Sequence, residues 1–147
     1  MDTLFHHILV PVDFTSKNHA ALSAAEQLAK QNAARISLLH VIEFIDFPED
    51  DEITDFYDKL RARSATELDK LVSHLDPSVD VTVDTIVSHR AHGIVTYAVD
   101  NSIDLIVMSS HPIDPERRGG WGTISYQVSA LCHCPIMLVK QPAKEAN

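Results

Sequence analysis

Five short apolar runs, at residues 7–12, 35–42, 79–83, 103–108 and 135–139, are separated by stretches whose apolar residues recur at helical spacing. Runs of this length bounded by polar residues read as strands. Between them Ala21, Leu22, Ala25, Leu28 and Ala29 mark one helix, and Ile53, Phe56, Tyr57, Leu60, Leu68, Leu71, Val72 and Leu75 the face of a long second one. Residues 91–101 form a third, with Ile94, Val95 and Ala98 inward, and Ile124, Val128 and Leu131 lie on one side of a short fourth. Strands joined through helices run parallel, and their right-handed crossovers place helices on both sheet faces. The expected fold is therefore α/β: a single five-stranded, mostly parallel, doubly wound sheet of the Rossmann-like kind.

The run at 103–108 is apolar on both faces and belongs at the sheet centre, whereas Val79, Val81 and Val83 alternate with Asp80 and Thr82 and suit an edge. With 147 residues there is room for one core, so residues 1–147 are expected to form one domain. It has an acidic connection at 43–52, a long loop at 109–121 and a polar tail at 140–147.

Lys and Arg number 12 against 21 Asp and Glu, a formal charge of −9. That balance argues against non-specific binding to nucleic acid or an anionic membrane. No apolar stretch approaches the ~18 residues of a membrane span, and residues 1–7 lack the basic start of a secretory signal. Cys132 and Cys134, one residue apart, suit a reducing compartment better than a disulfide framework. A cytoplasmic chain is the expectation.

Ligands of such sheets bind beyond the carboxyl ends of the strands, where the strand order reverses. The loops after Val12, Val41, Val87, Met108 and Val139 are thus the ones to interrogate. After Val12 comes Asp13, followed by Thr15 and Ser16; it reads equally as a helix cap or as an acceptor for a ligand amine or ribose hydroxyl. The 109–123 segment holds Gly119, Gly120 and Gly122, three of the four glycines, beside Arg117 and Arg118, and it opens a helix. Glycine-uncovered amides at a helix start, backed by guanidinium charge, favour phosphate over the plainer reading of a surface loop.

Val10-Pro11-Val12-Asp13, His40-Val41-Ile42, residues 104–108, Gly122-Thr123 and Cys134-Pro135-Ile136-Met137-Leu138-Val139 together resemble the universal stress protein family over nearly the whole chain. Nucleotide-binding members carry Gly-x2-Gly-x9-Gly-(Ser/Thr) after the fourth strand. Here the same spacing reads Ser109-x2-Pro112-x9-Gly122-Thr123, so both leading glycines are replaced. Proline removes an amide that a phosphate could have used. Ser110-His111-Pro112 is similar to a variant of this loop, and Gly119 with Gly120 offers a displaced cradle with charge from Arg117 or Arg118.

The resemblance implies an adenine nucleotide, ATP or AMP, with Mg2+ as an accompanying ion. Asp13 and the Val41 backbone would meet the adenine end, and Ser109, Gly122, Thr123, Ile124 and Thr15 the ribose and phosphates. Pro11, Val12, Met108, His111, Arg118 and Gly120 complete the implied site. It also implies a homodimer through the last strand, residues 134–140, from Cys134 to Lys140, and a protein partner of unstated identity.

Other readings are weaker. A receiver domain needs an acceptor aspartate after the third strand, where the chain reads Val87-Ser88-His89-Arg90. Cys132-His133-Cys134 lacks the Cys-x2–4-Cys spacing of structural zinc sites, and His40 in an apolar strand suits a satisfied core histidine. No nucleophile elbow or HExxH pattern is present, so the expectation is a non-enzyme with at most slow, incidental ATP hydrolysis. The main rival is a dimeric protein-interaction module of the same fold that has lost nucleotide binding, a reading that rests on Ser109 and Pro112.

Overall fold

A computed structural model describes residues 3–48, 50–110 and 123–140. Elements alternate as β1 (His7–Pro11), α1 (Asn18–Asn32), β2 (Arg35–Glu43), α2 (Asp51–Ser73), β3 (Val81–Ser88), α3 (Arg90–Asp100), β4 (Leu105–Ser110), α4 (Ile124–Leu131) and β5 (Ile136–Lys140). The five strands form one sheet in the order β3-β2-β1-β4-β5, every pairing parallel. The order runs outward from β1 to β3, then returns across the sheet to β4, so the reversal lies between β1 and β4.

Alternation along each strand divides the core in two. Ile8, Val10, Ile36, Leu38, Leu105 and Val107 pack with Ala21, Leu22, Ala25 and Leu68 of α1 and α2. Leu9, Leu39, Val41, Ile106 and Met108 pack with Ile94, Tyr97 and Ala98 of α3 and Val128 of α4. Gly93 is where α3 closes on the sheet edge: a Cβ there would stand 2.9 Å from the Ser88 Cβ.

Element bounds differ from the sequence reading where turns intervene. Val79 belongs to a turn, its amide bonded to the Asp76 carbonyl, and β3 runs on to Ser88 because residues 85–88 pair with residues 40–43 of β2. Ile103 is tied to the Ala98 carbonyl, and Ser102 has φ 54°, so β4 starts at Leu105. Along α4 the inward stripe runs from partly buried Ile124 through buried Ser125 and Val128 to the partly buried C-cap Cys132, four residues apart at each long step. Leu131, expected inward, is consequently 55% exposed. Of the expected α2 face only Leu68 is fully buried, beside Ser64, whose hydroxyl meets Thr85 Oγ1 at 2.5 Å; Phe56 is exposed.

The opposite end of the sheet carries a buried polar chain. His7 Nε2 lies 2.7 Å from Ser37 Oγ, which in turn lies 2.9 Å from Thr82 Oγ1. Its Nδ1 lies 3.1 Å from the Asn101 carbonyl and 3.3 Å from Arg35 Nη2. Burial, helped by the Arg35 charge, pushes the His7 pKa below its ordinary value of 6.5, against the Asn101 carbonyl and Asp104.

Two stability predictions result. Leu68→Ala should lower the unfolding free energy by about 2–5 kcal/mol in urea titration, because Leu68 alone of the α2 leucines fills the core. His7 is held neutral, so the unfolded chain binds more protons than the folded one once pH falls below 6.5. Its contribution is present above that pH and is lost as pH falls through the lower folded value. Urea midpoints measured from pH 7.5 to about pH 5 should therefore fall less steeply for His7→Gln than for the parent chain.

Candidate functional site

β2 outlasts β1, and the mismatch opens a crevice at the strand reversal. Backbone bonds of β2 alternate in direction: the Arg35 amide bonds to His6 on the β1 side, the Ile36 amide to Asp80 on the β3 side, and the Leu39 carbonyl accepts from Val12. Odd-numbered residues of β2 therefore face β1. Val41 is odd, and in the same register its amide and carbonyl would meet the Val12 carbonyl and the Phe14 amide. Both are already engaged: His40 Nδ1 donates to the Val12 carbonyl at 2.8 Å, and the Phe14 amide donates to Asn18 Oδ1 at 2.9 Å. The Val41 N–H and C=O are left side by side with no backbone partner among the described residues.

The chain turns outward after Val12 in a tightly held loop. Asn18 Oδ1 accepts from the amides of both Asp13 and Phe14, at 3.0 and 2.9 Å. Phe14 takes φ 65°, a left-handed conformation unusual for a bulky residue, and its ring lies 4.4 Å from that of His40. Asp13 Oδ1 accepts the Thr15 amide at 3.0 Å and the Thr15 hydroxyl at 2.6 Å. Burial pushes the Asp13 pKa up, but the two bonds from Thr15, with Lys17 nearby, outweigh it and hold the group below its ordinary value of 3.8. Asp13 is thus ionised at neutral pH, with no partner on Oδ2 among the described residues.

The far wall comes from β4 and α4. Ser109 Oγ donates to the Lys17 carbonyl at 2.7 Å, tying the end of β4 to the start of α1. Thr123 is the N-cap of α4, its Oγ1 accepting from the Tyr126 amide at 3.3 Å, and the Gln127 amide bonds to the Thr123 carbonyl. Among the described residues the first-turn amides of Ile124 and Ser125 have no partner, the arrangement of a helix start that favours anions.

These walls enclose about 310 Å³. Pro11, Val12, Asp13, Val41, Met108, Ser109, Thr123 and Ile124, all anticipated from sequence, line it. Thr15 does not line it; it holds Asp13 in place. His111, Arg118, Gly120 and Gly122 lie outside the described residues. Asn18, Leu39, His40, Arg90, Ile94 and Ser125 also line the crevice and were not anticipated. Arg90 stands at the β3 end, its Nε 3.8 Å from Glu43 Oε2. Leu39 and His40 adjoin Val41 in sequence, a usable signal. Asn18, one polar residue among several before a helix, carries no such signal.

Elsewhere the reactive side chains are quiet. Cys132 Sγ donates to the Cys134 carbonyl at 3.4 Å, both cysteines are free thiols, and burial pushes the Cys134 thiol pKa up. Among the described residues no three His, Cys, Asp or Glu side chains converge as metal ligands. No described helix is long and apolar enough to cross a membrane.

Known proteins share this fold. The universal stress protein YxiE of Bacillus subtilis is 28% identical over 93% of this chain and its own whole length. The universal stress protein MJ0531 of Methanocaldococcus jannaschii is 24% identical over 98% of this chain and 87% of its own. Among solved structures, the protein MJ0577 superposes with a TM-score of 0.80 at 22% identity, covering 97% of this chain and all of its own. A universal stress protein from Archaeoglobus fulgidus solved in complex with dAMP gives 0.61 at 16% identity, over 94% of this chain and all of its own. One solved in complex with cAMP gives 0.69 at 14% identity, over 92% and 97%. The profile of the universal stress protein family matches residues 4–140, and the chain belongs to that family.

Proposed function

We propose that the crevice binds an adenine nucleotide, ATP or AMP, and that the chain acts as a cytoplasmic stress-response signalling module rather than as an enzyme. The observation that carries this reading is the Val41 amide and carbonyl, adjacent and, among the described residues, unpartnered, in a crevice that also takes in the N-terminus of α4. A donor beside an acceptor matches the N1 and N6 edge of adenine, and free amides at a helix start match a phosphate. The ionised Asp13 on the same lining offers an acceptor for a ribose hydroxyl. The complexes of family members with dAMP and cAMP lend further support.

Asp13 is the one carboxylate among the described lining residues. Mg2+ would therefore travel with the phosphates of ATP rather than rest on a set of protein ligands. Beyond Asp13 the same described lining offers as a base only His40, whose Nδ1 is spent on the Val12 carbonyl, so any hydrolysis would be slow and incidental. Nucleotide would instead act through the 109–121 loop, of which residues 111–121 lie outside the described residues, on a surface read by a protein partner. A second copy of the chain would cover β5, an edge strand on which Met137 and Leu138 are 38% and 39% exposed.

Titration calorimetry with ATP, ADP and AMP, with and without Mg2+, tests the reading. Asp13→Ala and Gly122→Val should each weaken binding about tenfold or more, through a lost charge-assisted bond and a blocked phosphate approach. No heat and no thermal stabilisation with any of the three nucleotides would instead favour the protein-interaction module, the reading that Pro112 supports. In sedimentation velocity the parent chain should run as a dimer and Leu138→Arg as a monomer, since an unpaired charge on a buried edge is costly. A dimer that survives the substitution would place the interface elsewhere.

A further inference from the structure

Asn18 begins α1 and is only 4% exposed, yet it lines the crevice. Its Oδ1 accepts two backbone amides, from Asp13 and Phe14. A carboxamide oxygen accepts and its nitrogen donates, so these two bonds fix which way the amide faces. The Nδ2 then points away from the loop, and it has no hydrogen-bond partner among the described residues. Nor is it sealed in protein, because no described side-chain nitrogen or oxygen is both fully enclosed and unpartnered. Its open side is therefore the crevice. Two unpaired donor hydrogens on a nearly buried group call for an acceptor.

The position of Asn18 indicates which part of a ligand supplies that acceptor. Ser109 Oγ bonds to the carbonyl of Lys17, the residue before Asn18, so the start of α1 is fastened to the end of β4. That is the α4 side of the crevice, while the unpartnered Val41 groups lie across it on β2.

We infer that Asn18 is a ligand-binding residue whose Nδ2 donates to an oxygen of the ribose–phosphate half of the bound nucleotide. The same side chain thus has two roles: its oxygen holds the Asp13–Phe14 turn and its nitrogen holds ligand. The inference rests on the nucleotide reading of the crevice.

Two substitutions separate the roles. Asn18→Asp keeps an acceptor for both amides and adds negative charge at a helix start, so the fold and its melting temperature should be retained. Asn18→Ser keeps a shorter acceptor with no added charge. Both remove the Nδ2 donor: the carboxylate carries no hydrogen, and the serine hydroxyl, one atom shorter and turned to the loop amides, does not reach where Nδ2 stood. With AMP and ATP as probes in calorimetry, each should weaken binding at least about tenfold relative to the parent chain, the usual scale for a bond to a charged oxygen. Adenosine distinguishes the two oxygen sources. An equal loss with adenosine assigns the contact to ribose, and a loss confined to AMP and ATP assigns it to phosphate; either outcome supports the inference.

Parent-like affinity in folded Asn18→Ser would overturn it, whatever Asn18→Asp does, since loss in the aspartate variant alone is charge repulsion. Should Asn18→Ser fail to fold, parent-like affinity in Asn18→Asp overturns the inference equally. A parent chain that binds none of these probes takes down the nucleotide reading and this inference together, which is a different result from a parent that binds and variants that do so equally well.

Discussion

β1 is hydrogen-bonded along both edges, to β2 and to β4, and it stops at Pro11 while β2 runs on to Glu43. A strand flanked on both sides cannot continue straight once its chain must climb into α1, so the backbone leaves the sheet plane at Asp13. The next register position of β2 is thereby stripped of its neighbour. Backbone groups left in this way are ordinarily paired elsewhere in the protein or with water. Here the two groups that would meet them are diverted, the Val12 carbonyl to His40 and the Phe14 amide to Asn18. The open backbone at Val41 is thus made by the same contacts that build the loop beside it.

Those contacts carry a cost that the loop offsets locally. A left-handed conformation at a residue with a Cβ costs about 1–2 kcal/mol, and Phe14 adopts one. Against it stand the two bonds to Asn18 Oδ1 and the contact between the Phe14 and His40 rings, each bond worth about 1 kcal/mol net. The balance is close, so the turn depends on Asn18 being present and oriented. Strain held this way at the mouth of a crevice fixes the Asp13 carboxylate before any ligand arrives, and a fixed group loses less entropy on binding.

Periodicity made the fold legible. The two-faced apolar run around residues 105–108 did lie inside the sheet, and the valines alternating with polar residues did lie at its edge, because burial on two sides or one leaves a direct mark on composition. Boundaries were less legible: Val79 and Ile103 are apolar and adjoin strands, but local turns hold them outside the ladders. Leu131 shows the limit of a three-residue step on a short helix, since Cys132 continues the stripe that Ile124 and Val128 begin. Eight positions named from the resemblance do line the crevice, including Val41, whose side chain says nothing about its open backbone. Asn18 and Arg90 were not named, since their place on the wall depends on where α1 and α3 start relative to strands distant in sequence.

The electrostatics of the described crevice also run against the chain as a whole. The full sequence carries a net charge of −9, which would slow the approach of an anionic ligand, yet the described lining answers with little formal positive charge. Arg90 is its one cationic side chain of the Lys or Arg kind, and Arg90 is already beside Glu43. What remains is a set of oriented neutral dipoles: the first amides of α4, the Val41 amide and the Asn18 carboxamide. Fixed dipoles in a half-enclosed space stabilise charge at short range and lose little to salt, whereas surface cations act at a distance and are screened. A crevice built this way selects a ligand by where its acceptors lie more than by its total charge. Under the proposed nucleotide reading, discrimination in the described part of the site should therefore depend on a few ångströms of backbone placement, which the β1–β2 length mismatch sets.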